Sequence, residues 1–168
     1  MTQKITLTGL EDTRKLAQAV GSRLRCGDVV TLAGDLGAGK TTFAQFLIQG
    51  LSTQEVEVTS PTFTILQTYP VMLTDGRDTE LYHYDLYRIE HPSALTELGL
   101  EDAVREVALI EWPDRLAGSR VPVALALTFT MGEDGSREVI ADATDAARWQ
   151  GIISLKQPSN LFHPPSSC

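Results

Sequence analysis

An α/β fold is expected from three features of this 168-residue chain. A β-branched apolar run, "DVVTLAG" (Asp28 to Gly34), enters a glycine-rich loop that opens directly into an apolar-faced helix, "KTTFAQFLIQGL". A second apolar run, "VALIE" (Val107 to Glu111), follows a stretch with helix signals. Two pairs of strand-like runs are joined by "TDGRDT" and "GEDG", polar glycine-bearing turns that mark antiparallel hairpins. Helices flanking a sheet, with hairpins at its edge, are the expected arrangement.

The elements follow in chain order. "KITLT" (Lys4 to Thr8) alternates and reads as a short strand. "EDTRKLAQAVGSRL" carries acids in its first turn and sets Leu16, Ala17, Val20 and Leu24 on one helical face. In the helix after the loop, Phe43, Phe46, Leu47 and the Gly50-Leu51 pair mark the buried side. "FTILQTYPV" and "ELYHYDLYRIE" are rich in aromatic and β-branched residues, as strands are. "HPSALTELGLEDAVRE" reads as short helices, started near Pro92 and broken at Gly99. Val121 to Met131 alternates large and small residues and pairs with "REVIADA". No internal repeat is present. A single domain over 1–153 and a disordered tail over 154–168, carrying "KQPSNLFHPPSSC" from its start near Lys156, complete the expected organisation.

Charge narrows the function. Lys plus Arg number 14 against 22 Asp plus Glu, a net charge of -8, which opposes direct phosphate-driven binding of nucleic acid. A local basic patch, or a partner that holds the nucleic acid, stays compatible with it. The cysteines, Cys26 and Cys168, have no metal-like spacing and read as reduced thiols. The amino-terminal stretch lacks a basic region followed by an apolar core, and no apolar run is long enough to span a bilayer. A cytoplasmic location is expected.

Gly34, Gly39, Lys40 and Thr41 complete the pattern G-x-x-x-x-G-K-[ST]. Strand before and helix after are the context this P-loop requires. Across Asp35, Leu36, Gly37, Ala38 and Gly39 successive backbone N–H groups can point inward as an anion nest. The helix that begins with Lys40, Thr41 and Thr42 adds the positive end of its dipole. Lys40 is expected to reach the β- and γ-phosphates, and the Thr41 hydroxyl to ligate Mg²⁺. A nucleoside triphosphate is the implied ligand.

Such a site needs a carboxylate near the metal. Glu111 ends its strand at the edge that faces the ligand crevice in open α/β sheets. It could bind Mg²⁺, directly or through water, or orient the attacking water; the plainer reading is a surface acid at a strand end. Asp85 in "YHYDLYR" lies mid-strand among aromatics, where a solvated charge is unusual. It reads as a water-positioning group or as half of a salt bridge with Arg88 or another cation. "TSPTFTI" (Thr59 to Ile65) offers Ser60 and Thr62 as phosphate-bonding hydroxyls in a switch-like loop, although spacing alone favours an ordinary turn. Trp112 reads as core filler or a partner contact. His83, His91 and His163 have no mutual spacing that suggests a metal site and carry no assigned chemistry.

"GDLGAGKTTF", "SPTFTI", "YHYDLYR", "ELGLED" and "LIEWPDRL" stand in this order, and together they resemble the TsaE family of bacterial P-loop ATPases. The likeness runs from about Thr13 to about Ala141. It implies a three-layer P-loop fold with a central mixed sheet, and an ATPase acting with TsaD and TsaB in tRNA threonylcarbamoyladenosine synthesis. Those partners transfer the threonylcarbamoyl group to adenosine 37 of tRNA, so tRNA is met only through the complex. ATP and Mg²⁺ are the implied cofactors. By resemblance, Lys40 and Thr41 serve phosphate and metal, Glu111 is a metal-site residue, Asp85 is functionally important, Trp112 lies beside the nucleotide and Thr13 lies near the base.

Two other functions are compatible with the loop. A small-molecule kinase would need a lid of arginines, and Arg105, Arg115, Arg120, Arg137 and Arg148 are scattered along the chain. A guanine-nucleotide switch would need an Asn-Lys-x-Asp loop, whereas Asn160 is the only asparagine.

Overall fold

Strand alternation sorts the apolar side chains of one sheet onto two faces. The computed structural model describes residues 1–152; the expected tail over 154–168 lies outside them. Seven strands form the sheet: β1 (Thr2–Leu7), β2 (Val29–Ala33), β3 (Leu66–Met72), β4 (Asp78–Asp85), β5 (Val107–Glu111), β6 (Val123–Met131) and β7 (Arg137–Ala143). The helices are α1 (Leu10–Gly21), α2 (Lys40–Leu51), α3 (Ser93–Glu97), α4 (Leu100–Ala103) and α5 (Ala146–Trp149), with 3₁₀ turns at Pro113–Leu116 and Gln150–Ile152.

The strand order is β1-β7-β6-β2-β5-β4-β3. β6, β2, β5 and β4 run parallel to one another; β1, β7 and β3 pair antiparallel at the flanks. The mixed sheet with edge hairpins is therefore as expected. Pro70, which has no N–H to give, sits on the edge strand β3, where one side of the ladder needs no donor.

Val30, Leu32 and Leu109 face one way and pack with Leu16 and Val20 of α1 and Phe43 and Leu47 of α2. Val29, Ala108 and Ile110 face the other way and pack with Leu95 of α3, Leu100 and Ala103 of α4, and Leu116. Helix, sheet and helix make three layers. β2 and β5 are buried on both faces, which explains why they read as continuous apolar runs rather than as alternation.

Three local expectations change. α1 stops at Gly21, although Leu24 is still buried behind it. Gly50 is exposed, and Phe46 is half-buried beneath the Arg14 guanidinium, 4.5 Å from its ring centroid. The strand "ELYHYDLYRIE" ends at Asp85 rather than running on. Its carboxylate turns to accept the Tyr87 N–H at 3.0 Å, a local side-chain bond that breaks the ladder.

Tyr84 ties the second layer to the sheet. Its hydroxyl donates to the Leu98 carbonyl at 3.0 Å, at the end of α3. Burial foremost, and then the charges of Tyr82 and Asp102, hold its pKa well above the ordinary 10.0. Burial shifts Tyr69 the same way. The folded protein thus keeps these phenols protonated where the unfolded chain ionises them. Their contribution is complete below about pH 10 and is lost as the pH rises beyond it. Tyr84→Phe is expected to cost about 1 kcal/mol at pH 7 through the lost hydrogen bond. The same variant should lose less stability than the parent between pH 9 and 11, as denaturant titrations across that range would show.

Candidate active site

β2 delivers the chain into the phosphate loop at Gly34, whose φ of 132° lies outside the range of L side chains. A Cβ there would also run into the Phe129 carbonyl oxygen of β6, so the loop lies flat on the neighbouring strand only because this residue is glycine. Gly34→Ala is expected to lower stability by about 2 kcal/mol or more. A calorimetric melt checks it, with Gly27→Ala (positive φ, open space) as a milder comparison.

Lys40 opens α2 and turns back into the loop. Its Nζ donates to the carbonyls of Gly34, at 2.5 Å, and Asp35, at 2.8 Å, and lies 4.7 Å from the Trp112 ring centroid. The side chain is buried, and that burial pulls its pKa below the usual lysine value against the opposing charges of Glu111, Asp85 and Asp35. Among the described residues no carboxylate lies within 4.0 Å of it.

The parallel register of β4 and β5 sets Asp85 beside Glu111 at the carboxyl ends of their strands. Both are almost fully buried, at 4% and 2% exposure. Asp85 Oδ2 accepts the Thr62 hydroxyl at 3.0 Å, and Thr62 is in turn 2.7 Å from Ser60. The Thr59–Ile65 stretch is therefore an ordinary turn, closed by Ile65 N–H to the Pro61 carbonyl at 2.6 Å, yet it carries one hydroxyl to the acids. Arg88 does not pair with Asp85; it lies over the Phe63 ring, 4.7 Å from the centroid.

These groups line one cavity of about 140 Å³. Leu36, Gly37, Gly39, Lys40, Thr41 and Thr42 form its floor, and Thr62, Asp85, Glu111, Trp112 and Arg137 its walls. Asp35 contributes its carbonyl to Lys40, and Ala38 is buried inside the loop, its N–H on the Asp35 carbonyl at 3.2 Å. Thr13 is not among the lining residues: it is buried on α1, with its hydroxyl 3.5 Å from the Gly9 carbonyl. Trp112 is half-buried, takes a left-handed φ of 59° and packs on Tyr87 with ring centroids 4.9 Å apart.

The family model for TsaE, described as "Threonylcarbamoyl adenosine biosynthesis protein TsaE", matches residues 7–139. The chain belongs to the TsaE family. A TsaE protein of Rickettsia conorii is 34% identical over 94% of this chain and 89% of its own length. One from a Nostoc species is 40% identical over 80% and 82%, and that of Bacillus subtilis 37% identical over 77% and 78%. The crystal structure of Bacillus subtilis YdiB superposes with a TM-score of 0.67 at 30% identity, covering 92% of this chain and 93% of that one. The family and its threonylcarbamoyladenosine role agree with the expectation from the motifs.

Two residues at this TsaE-family site, His83 and Arg137, carry no assigned role in the sequence reading. His83 is fully buried, and its Nε2 donates to Glu111 Oε1 at 2.9 Å. Among the described residues its Nδ1 has no hydrogen-bond partner. The period of the strand carries the signal: His83 and Asp85 of "YHYD" fall two apart and so on one face, which the spacing between histidines does not reveal. Arg137, read as one of several scattered arginines, also reaches the cavity.

Proposed function

We propose that this protein binds MgATP in the loop-lined cavity and hydrolyses it. It would do so as the accessory ATPase of TsaD- and TsaB-like proteins in threonylcarbamoylation of adenosine 37 of tRNA, in the cytoplasm. One observation carries the reading. A buried lysine, with no carboxylate within 4.0 Å among the described residues, caps a positive-φ loop opposite two buried carboxylates on adjacent strand ends. A buried cation held by two neutral carbonyls, with acids only beyond ion-pair distance, is costly, and a polyphosphate is the ligand that would offset it. The acids on the far wall suit a metal carried in with the phosphates.

Backbone amides of Asp35 to Thr41 would hold the phosphate chain, and the Lys40 ammonium would neutralise charge developing on its terminal group. Thr41 and Glu111 would hold Mg²⁺, whose charge would polarise the phosphoryl oxygens; phosphate and water oxygens complete its shell. His83 fixes one oxygen of Glu111 and leaves the other for that task. Asp85, held between Thr62 and the Tyr87 N–H, would orient the attacking water. Trp112 would close the site beside the nucleotide, and Thr13 would act near the base from outside the cavity.

Among the described residues no helix is long and apolar enough to cross a membrane. A net charge of -8 fits a protein that meets tRNA only through its partners. The test is ATP hydrolysis by the purified chain, with and without TsaD and TsaB, alongside copurification. Slow turnover alone and faster turnover with the partners are expected. Failure to bind ATP under either condition would overturn the proposal.

A further inference from the structure

Positive charge gathers at both ends of β2. The phosphate loop follows its carboxyl end, and three arginines meet at its amino end. There Arg23, Arg25 and Arg148, with Ser22, Thr74 and Asp75, line a cavity of about 490 Å³. Arg23 and Arg25 lie in the connection from α1 to β2, and Arg148 lies on α5. Backbone bonds frame the cavity. Thr74, in the turn between β3 and β4, donates its hydroxyl to the Ser22 carbonyl at 3.0 Å. Asp28, buried just before β2, accepts the backbone N–H of Arg25 and the guanidinium of Arg148, both at 2.8 Å.

Two of the arginines are held in place. Arg148 is seated against the Trp149 ring, 4.7 Å from its centroid, and among the described residues its buried Nε has no hydrogen-bond partner. Arg23 donates from Nη1 to the Ala19 carbonyl at 2.7 Å. Its guanidinium fills the space beside Gly151, where an added Cβ would collide with Nη2. Among the described residues no carboxylate lies within 4.0 Å of Arg23 or Arg25. The Ser22 and Thr74 hydroxyls both donate to backbone carbonyls, so what the cavity offers a ligand is guanidinium N–H. Three positive charges stand here against the carboxylates of Asp28 and Asp75. Like charges held together cost free energy. In a chain where acids outnumber bases 22 to 14, the excess is not for want of acids.

We infer that this cavity is a second anion site, which takes a compact phosphate dianion, free or as the monoester of a small molecule. Guanidinium forks present paired N–H donors that match phosphate oxygens, and they stay charged wherever phosphate is a dianion. The net charge of -8 opposes a polynucleotide, which would bring many further phosphates to an acidic protein. The site stands at the opposite end of β2 from the phosphate loop and needs nothing from the MgATP reading.

The experiment is a proton–nitrogen NMR titration of the full chain with sodium phosphate and with glycerol phosphate, set against sodium chloride at matched ionic strength. Both phosphates are expected to shift the amides of Arg23, Arg25 and Arg148 saturably, with a Kd of about 1 mM or below, separately from any shifts at Gly34 to Thr41. The double variant Arg23→Gln, Arg25→Gln should raise that Kd about tenfold or more and leave ATP hydrolysis within about twofold of the parent. Arg23→Lys with Arg25→Lys should weaken binding by a smaller factor, because it keeps the charge without the fork, and it serves if the glutamine variant folds poorly. Equal shifts with chloride, or a Kd unchanged in every variant that folds, would overturn the assignment. So would a single-stranded RNA that shifts these amides where neither phosphate does. The loop amides report on the nucleotide reading by themselves, so failure there leaves this site standing.

Discussion

Lys40→Ala is expected to lower MgATP hydrolysis by about 100-fold or more at saturating nucleotide. The ammonium is already aimed: two loop carbonyls and the Trp112 face hold it inside the cavity, so little reorganisation is needed when phosphate arrives. Lys40→Arg should fare little better, because a planar guanidinium cannot take the place of a point charge seated between the Gly34 and Asp35 carbonyls. Stability separates this from unfolding. Burial lowers the Lys40 pKa, so at neutral pH the charged lysine is a cost to the folded state. That cost fades as the pH rises toward 10.5, where the unfolded chain sheds the proton as well. The alanine variant should therefore melt no earlier than the parent at pH 7. A large drop in its melting temperature would mean that activity was lost with the fold, and not with the charge.

Glu111→Gln is expected to reduce hydrolysis by a similar factor, on the order of 100-fold, and to raise the Mg²⁺ concentration needed for half-maximal rate. Glutamine keeps an oxygen that can accept from His83 and changes little in volume. Glu111→Ala removes that acceptor and leaves the fully buried His83 Nε2 without a partner. It should lose the same activity and, in addition, about 1–3 kcal/mol of stability. Steady-state rates across a magnesium series, together with thermal melts of both variants, check the pair. Full hydrolysis by Glu111→Gln in the presence of the partner proteins would move its role to Asp85.

Much of this molecule can be read along the chain where a local rule decides. The phosphate loop, α2 and β5 follow from composition and period alone, and the two hairpins from their glycine-bearing turns. The strand order was set instead by which apolar face meets which helix, and that is a property of the whole sheet. Asp85 shows the limit well. As one residue in an aromatic run it reads as mid-strand; its own bond to the Tyr87 N–H accompanies the strand's end there, and the register of β4 on β5 sets it beside Glu111. His83 and Arg137 were hidden for a related reason: each gains its meaning from a neighbour distant in sequence, Glu111 for the first and Gly39 for the second. Thr13, expected near the base from resemblance, is on α1 away from the cavity lining.

The outermost strand β1 has a consequence beyond its own pairing. Among the described residues it hydrogen-bonds to no strand but β7, and Leu7 is matched with Arg137 itself. The first few residues therefore splint, from outside, the backbone that carries an arginine lining the cavity. A segment that looks dispensable because it is short and far from the loop in chain order is part of the cavity's scaffolding.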